Sequence, residues 1–113
     1  MSITVTPAQG DRLILAIEGA MTVYEAPGYK KELLDALADG SGLEFDLSAV
    51  DELDTAGAQL LVLTQREGRK AGKAVRLVSC SAEALEALDR YGLRSRFGTP
   101  TEPGPGEPTS QPR

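Results

Sequence analysis

The chain has 113 residues, of which 41% are apolar and 4% aromatic, so the sequence predicts one domain with a core built mainly of Leu, Val, Ile and Ala. Its 17 acidic and 12 basic residues give a net charge of −5, which argues against nucleic acid or an anionic membrane as the main partner. The absence of histidine and the single cysteine exclude the common zinc sites and the Ser-His and Cys-His nucleophile pairs, so we expect no enzyme, no metal site and no cofactor.

The chain begins with a pattern typical of a β-hairpin. Residues 3–7 (ITVTP) and 12–19 (RLILAIEG) predict two strands, and the second shows the two-residue period of a strand. Between them, Gly10 and Asp11 provide residues suited to a turn. We therefore expect the two strands to pair antiparallel.

A helix and a third strand are predicted next. Residues 26–40 (APGYKKELLDALADG) have helical spacing, with Pro27 in the first turn and Gly40 placed to end the helix. Residues 42–50 (GLEFDLSAV) return to alternation, with acidic or polar side chains at every second position. That alternation favours a strand with one face open to water.

The second half of the chain predicts helix, strand and helix. Residues 56–73 form the first helix, with an inner face that includes Leu63 and an exposed end that begins at Gln65. Residues 73–80 (KAVRLVSC) predict a strand. Residues 81–93 predict a last helix, capped by Ser81 and ended by Gly92.

These elements give the order β-β-α-β-α-β-α, which indicates an α/β fold with a mixed sheet and helices mainly on one face. We assign residues 1–98 to this single domain. Residues 99–113 hold five of the seven prolines and almost no apolar side chains. They predict a disordered tail, because such a segment cannot bury enough surface to offset its ordering entropy.

The turn at residues 54–57 (DTAG) lies where a strand ends and a helix begins, and it allows two interpretations. Asp54 or Thr55 can cap the helix by accepting hydrogen bonds from its first amides, a role that spacing alone favours. The carboxyl end of a strand is also where α/β proteins place functional side chains, so Thr55 can instead present an addressable hydroxyl.

Residues 45–93, from "FDLSAVDELDTAG" to "DRYGL", resemble the sulphate transporter and anti-sigma factor antagonist (STAS) domain family. The resemblance rests on a strand ending in Asp-Leu-Ser-x-Val, the Asp-Thr-Ala-Gly turn, an amphipathic helix, and a further strand and helix ending near Gly-Leu. It implies the STAS fold for the domain.

The resemblance also implies a role as an anti-sigma factor antagonist. Its partner would be an anti-sigma factor that is itself a serine-threonine protein kinase, and Thr55 would be the phosphoacceptor. The implied partner interface comprises the turn and the loop after the second strand: Met21, Thr22, Tyr24, Asp54, Thr55, Ala56, Gly57 and Ala58.

This sequence departs from the family pattern at two places. Residues 19–22 read Gly-Ala-Met-Thr where many antagonists have Gly-Glu-Leu-Asp, although Glu25 is close by. Ala58 stands where Leu is usual. The turn is equally similar to that of STAS subunits that bind the ATPase of a phospholipid-transport complex, where the threonine is part of a protein interface without being phosphorylated.

Three other features bear on location and partners. The single cysteine, Cys80, and the lack of a signal peptide or a long apolar run predict a cytoplasmic protein with no membrane insertion. Cys80 itself is interpreted as a semi-buried hydrophobic residue. The basic run at residues 66–73 (REGRKAGK) is either an ordinary charged helix face or a contact for an acidic partner.

Overall fold

The computed structural model describes residues 1–97, which form a four-stranded mixed sheet. Its strands lie side by side in chain order: β1 (Ser2–Pro7), β2 (Leu13–Met21), β3 (Gly42–Leu53) and β4 (Ala74–Cys80). β1 pairs antiparallel with β2, whereas β2, β3 and β4 are parallel. The predicted hairpin is confirmed, with Gly10 and Asp11 both at positive φ. The predicted tail at residues 99–113 lies outside the described residues.

Within residues 1–97, four α-helices accompany the sheet: α1 (Lys30–Asp39), α2 (Thr55–Lys70), α3 (Ala82–Arg90) and the short α4 (Arg94–Phe97). The predicted α/β class and the order of the main elements are confirmed. Ser81 caps α3 as predicted, since its hydroxyl accepts a hydrogen bond from the Ala84 N–H at 3.0 Å. Residues Ala26–Tyr29, predicted as the first turn of an α-helix, form a 3₁₀ helix that leads into α1, whereas α4 was not expected from the sequence.

The core lies between the helices and one face of the sheet. The aligned residues Leu15, Phe45 and Leu77 occupy this face on three neighbouring strands and are at most 4% exposed. Burial of each such side chain contributes about 1.5–3 kcal/mol. On the other face, Arg76 is exposed and Ile14 is half-buried. Glu44, which is aligned between them, was predicted to face water but is only 8% exposed. The helices therefore cover mainly one face, as predicted from the alternating pattern of β3.

β3 is longer than the sequence predicts, and this changes the picture of the turn. Pairing with β2 continues to the Met21–Leu53 pair through two register shifts, so Asp51 and Glu52 are exposed strand residues. Only Asp54 separates β3 from α2.

Within residues 1–97, no three acidic or cysteine side chains converge as a metal site would require.

Two expectations for α2 are wrong. Gln65 was placed on the exposed end but is 7% exposed, because α4 packs over it. Its amide donates to the Arg96 carbonyl at 2.9 Å, and its carbonyl accepts from Arg96 Nε at 2.8 Å. Leu63 was placed on the inner face but is only half-buried, since it faces away from the sheet along a surface groove.

Candidate binding site at the start of helix α2

Asp54 is the residue that caps α2. Its backbone is extended, and its carboxylate Oδ1 accepts hydrogen bonds from the N–H groups of Ala56 at 2.8 Å and Gly57 at 3.2 Å. These are two of the amides that a helix start leaves without a partner, and such a cap contributes about 1 kcal/mol. Of the two candidate caps in the sequence, the structure selects Asp54.

The same carboxylate also holds the loop that follows β2, residues 22–25. Asp54 Oδ2 accepts a hydrogen bond from the Val23 N–H at 3.0 Å, and the Asp54 N–H donates to the Met21 carbonyl at 3.2 Å. One side chain thus connects the end of β2 with the first turn of α2. Two segments that are distant in sequence meet here and form one surface.

These contacts keep Asp54 ionised. Partial burial by itself raises the pKa of the Asp54 carboxyl, but the N–H groups of Val23, Gly57 and Ala56 outweigh it. They hold the pKa of this carboxyl below its ordinary value of 3.8. A fixed negative charge therefore lies at the turn at neutral pH.

Thr55 is the first residue of α2, and its side chain is exposed. Its hydroxyl makes no hydrogen bond within the part of the chain that the structure describes. Because Asp54 serves as the cap, the hydroxyl is not needed to satisfy the helix amides. It is presented to solvent at the positive end of the helix dipole.

Gly57 brings the start of α2 into direct contact with the end of β2. A Cβ placed on Gly57 would lie 2.3 Å from the Met21 carbonyl oxygen and 2.8 Å from the Met21 Cβ. No real side-chain atom tolerates the first distance, so this approach requires glycine. The close packing fixes the position of Thr55 relative to the loop at residues 22–25.

The other residues of the predicted interface divide into a support and a surface. The supporting residues are buried, so they offer a partner little area of their own: Met21, Thr22, Gly57 and Ala58. Ala56 is half-buried, and Tyr24 is 92% exposed. Sequence analysis missed Val23, which is 57% exposed. The sequence feature that could have identified Val23 is its position next to Tyr24, in a short loop between a strand and Pro27.

The loop at residues 22–25 is also anchored on its far side. Glu25 Oε1 pairs with the α-ammonium group of Met1 at 2.5 Å, and the Tyr29 hydroxyl donates to the Met1 carbonyl. Glu25 is the acid that the sequence places near the missing family carboxylates. In the structure it is committed to an ion pair, so the exposed part of the loop is dominated by Val23 and Tyr24.

The remaining candidate groups lie away from this site. Cys80 is fully buried, more so than the semi-buried position expected from the sequence. Burial raises the pKa of its thiol, the charge of Arg94 opposes that rise and the charge of Asp46 adds to it, and the resulting pKa is about 11. The thiol is therefore protonated at neutral pH, as expected for a core residue. In residues 1–97, none of the helices has the length and apolar character to cross a membrane.

The site thus combines an exposed hydroxyl on a capped helix start with an exposed loop that carries Val23 and Tyr24, on a small α/β domain. The STAS domain family model matches residues 3–107, and the chain belongs to this family. The anti-sigma-B factor antagonist of Bacillus subtilis is 28% identical over 95 residues, covering 83% of this chain and 87% of that protein.

Solved structures show the same fold. The anti-sigma factor antagonist SpoIIAA in its unphosphorylated form has a TM-score of 0.71 at 13% identity, covering 89% of this chain and 90% of that one. Its phosphorylated form has a TM-score of 0.65 at 11% identity, covering 85% and 87%. An anti-sigma factor antagonist from Mycobacterium paratuberculosis has a TM-score of 0.70 at 23% identity, covering 89% and 87%.

Proposed function

We propose that this protein is a cytoplasmic anti-sigma factor antagonist that binds an anti-sigma factor kinase and is switched by phosphorylation of Thr55. The observation that carries the proposal is the exposed hydroxyl of Thr55 on a helix start already capped by Asp54. A kinase can modify this group without unmaking a hydrogen bond of the fold. The protein itself acts by binding, without catalysis.

The electrostatics of the turn support a switch that acts on binding. Phosphorylation adds a charge of about −1.5 to −2 at Thr55. A negative charge at a helix start is stabilised by about 0.3–1 kcal/mol, so the fold tolerates it. The neighbouring Asp54 carboxylate is held in its charged form. A partner that covers the turn would have to desolvate both negative charges, at a cost of several kcal/mol unless Arg or Lys meets them.

The surface around Thr55 supports a protein as the ligand. Val23 and Tyr24 are two of the four large hydrophobic residues that are exposed in residues 1–97, and they are adjacent. Tyrosine is among the residues that most often dominate the energy of protein interfaces. In this proposal, Tyr24 anchors the partner and Thr55 lies at the edge of that contact.

The direct test is phosphoryl transfer. The purified protein is incubated with the cognate anti-sigma factor and ATP, and intact mass is recorded for the wild type, Thr55→Ser, Thr55→Ala and a control, Thr6→Ala, which changes an exposed threonine on β1. We expect one phosphate on every protein except Thr55→Ala, which should remain bound to the kinase. A wild-type protein that stays unmodified by a kinase active on another substrate would contradict the switch.

A second candidate function is supported by the loop at residues 22–25. Val23 and Tyr24 are exposed and uncharged, and the charge of the exposed Glu25 is paired with Met1, so the loop offers little net charge to steer a kinase. An uncharged surface suits a lasting interface, as in a STAS subunit of a phospholipid-transport ATPase. Stable co-purification with such an ATPase, without phosphate on Thr55, would favour this function over the first.

A further inference from the structure

A groove of about 530 Å³ runs beside the binding site, between the 3₁₀ helix Ala26–Tyr29 and the outer side of α2. Its apolar lining comes from both sides: Ala26, Pro27, Ala56, Leu60, Val62 and Leu63. Val62 and Leu63 are only half-buried, so their side chains are partly open to water. The groove gives α2 a second apolar face in addition to the one that packs on the sheet.

The charged side chains that line this groove are both positive. Lys30 and Arg66 are exposed and belong to its lining, which contains no carboxylate. Within the residues that the structure describes, neither of them forms a salt bridge. The chain as a whole carries a net charge of −5, so the charged lining of this groove is opposite in sign to the net charge of the protein.

The dimensions of the groove fit a helix. Along α2 the lining extends from Ala56 to Arg66, which corresponds to about 15 Å at the rise of an α-helix. A partner helix of about ten residues has this length. Helices bind such grooves through apolar side chains spaced three or four residues apart.

We propose that this groove binds an acidic amphipathic helix of a protein partner. Its apolar side chains would contact Val62 and Leu63, and its carboxylates would pair with Lys30 and Arg66. The inference rests on the proposed function in one respect, because the helix would belong to the partner that covers Thr55. It adds that the partner makes a second contact with this domain, through an acidic helix in the groove.

The groove also gives the phosphate a direct physical effect. Ala56, which lines one end, directly follows Thr55 in the first turn of α2. A phosphate on Thr55 would lie within one Debye length, about 8 Å, of an acidic helix seated at that end. Like charges at this distance repel, so phosphorylation weakens binding in the groove as well as at the turn.

The first experiment needs no kinase. A synthetic acidic peptide of about ten residues, held helical by a side-chain crosslink, with Leu at every third or fourth position and Glu at the others, is titrated into the isotope-labelled protein. We expect amide shifts at Gln59, Val62, Leu63 and Arg66, and much weaker binding by a peptide with Lys in place of Glu. Equal binding of both peptides, or shifts confined to the open face of the sheet, would overturn the proposal.

The second experiment uses a matched pair on the same helix. Arg66→Glu should weaken the acidic peptide about tenfold, whereas Arg69→Glu, an exposed change of equal charge outside the groove, should have little effect. Equal losses of peptide affinity in the two variants would mean that the peptide responds only to the net charge of the protein, which would contradict binding in this groove. Thr55 phosphorylation is measured separately. A failed kinase assay would therefore contradict the proposed switch without affecting the peptide result, and a failed peptide titration would contradict the groove proposal without affecting the switch.

Discussion

The carboxylate of Asp54 and the backbone N–H of Val23 are joined by a 3.0 Å hydrogen bond that spans 31 positions of the sequence. The same carboxylate caps α2 through Ala56 and Gly57. The exposed loop carrying Val23 and Tyr24 is therefore positioned by the group that also positions the first turn bearing Thr55. A change at Asp54 should affect both halves of the site together.

Asp54→Asn should reduce stability in a pH-dependent way. The folded protein lowers the pKa of this carboxyl below 3.8, so its charged form stabilises the fold at pH values above the unfolded pKa. That contribution is lost as the pH falls through the lower, folded pKa. We expect the variant to be less stable by about 1 kcal/mol near neutral pH, because an amide has a single acceptor oxygen for three N–H donors.

Urea unfolding of both proteins across the acidic range measures this effect. The difference in free energy between wild type and Asp54→Asn should be constant near neutral pH and shrink below about pH 3.8. Taking the difference removes the contributions of the other acidic groups. A gap that stays constant down to the most acidic folded sample would show that the charge of Asp54 does not stabilise the fold.

Gly57→Ala should destabilise the protein although it places a good helix former in a helix. The added Cβ would meet the Met21 carbonyl at 2.3 Å, and overpacking of this kind costs about 1–3 kcal/mol. Gly28→Ala is the matched control, since nothing lies within 4 Å of a Cβ there. Denaturant midpoints compare them, and equal midpoints would mean that α2 moves away from β2 at no cost.

Much of the fold was predictable because its signals are local. The turn residues of the hairpin and the cap at Ser81 each depend on a few neighbouring residues, and both are confirmed. The alternation in β3 holds from Phe45 to Ser48, but it fails at Glu44, which is buried. The location of the turn at a strand end, before a helix, was predictable for the same reason. The family resemblance added the fold as a whole.

The features that sequence reasoning missed depend on contacts between distant segments. Gln65 is buried only because α4 covers it, and α4 is too short to show a periodic pattern. β3 extends to Leu53 because β2 pairs with it there. The assignment of the cap to Asp54, with Val23 as its third donor, likewise requires the spatial meeting of two loops.

Thr55→Ala should leave stability nearly unchanged. The hydroxyl is exposed and makes no hydrogen bond within residues 1–97, so we expect a change within about 0.5 kcal/mol. Thr55→Glu should also fold, because a negative charge is favourable at a helix start. Thermal melts check both variants, with Asp54→Ala as the comparison that does remove the cap. A loss of about 1 kcal/mol in Thr55→Ala would mean that the hydroxyl caps the helix after all.

Gln65→Ala should loosen the end of the domain. The Gln65 amide group makes two hydrogen bonds with Arg96, one in each direction, and these hold α4 against α2. Removing it leaves the partly buried Arg96 carbonyl without this donor, which costs about 1–3 kcal/mol. Amide exchange should increase most at residues 94–97. Gln59→Ala, an exposed change on the same helix, should show neither effect. If exchange instead rose evenly over α2, Gln65 would stabilise its own helix, and α4 would be held by its other contacts, which include the buried Phe97 and the Arg94–Asp89 ion pair.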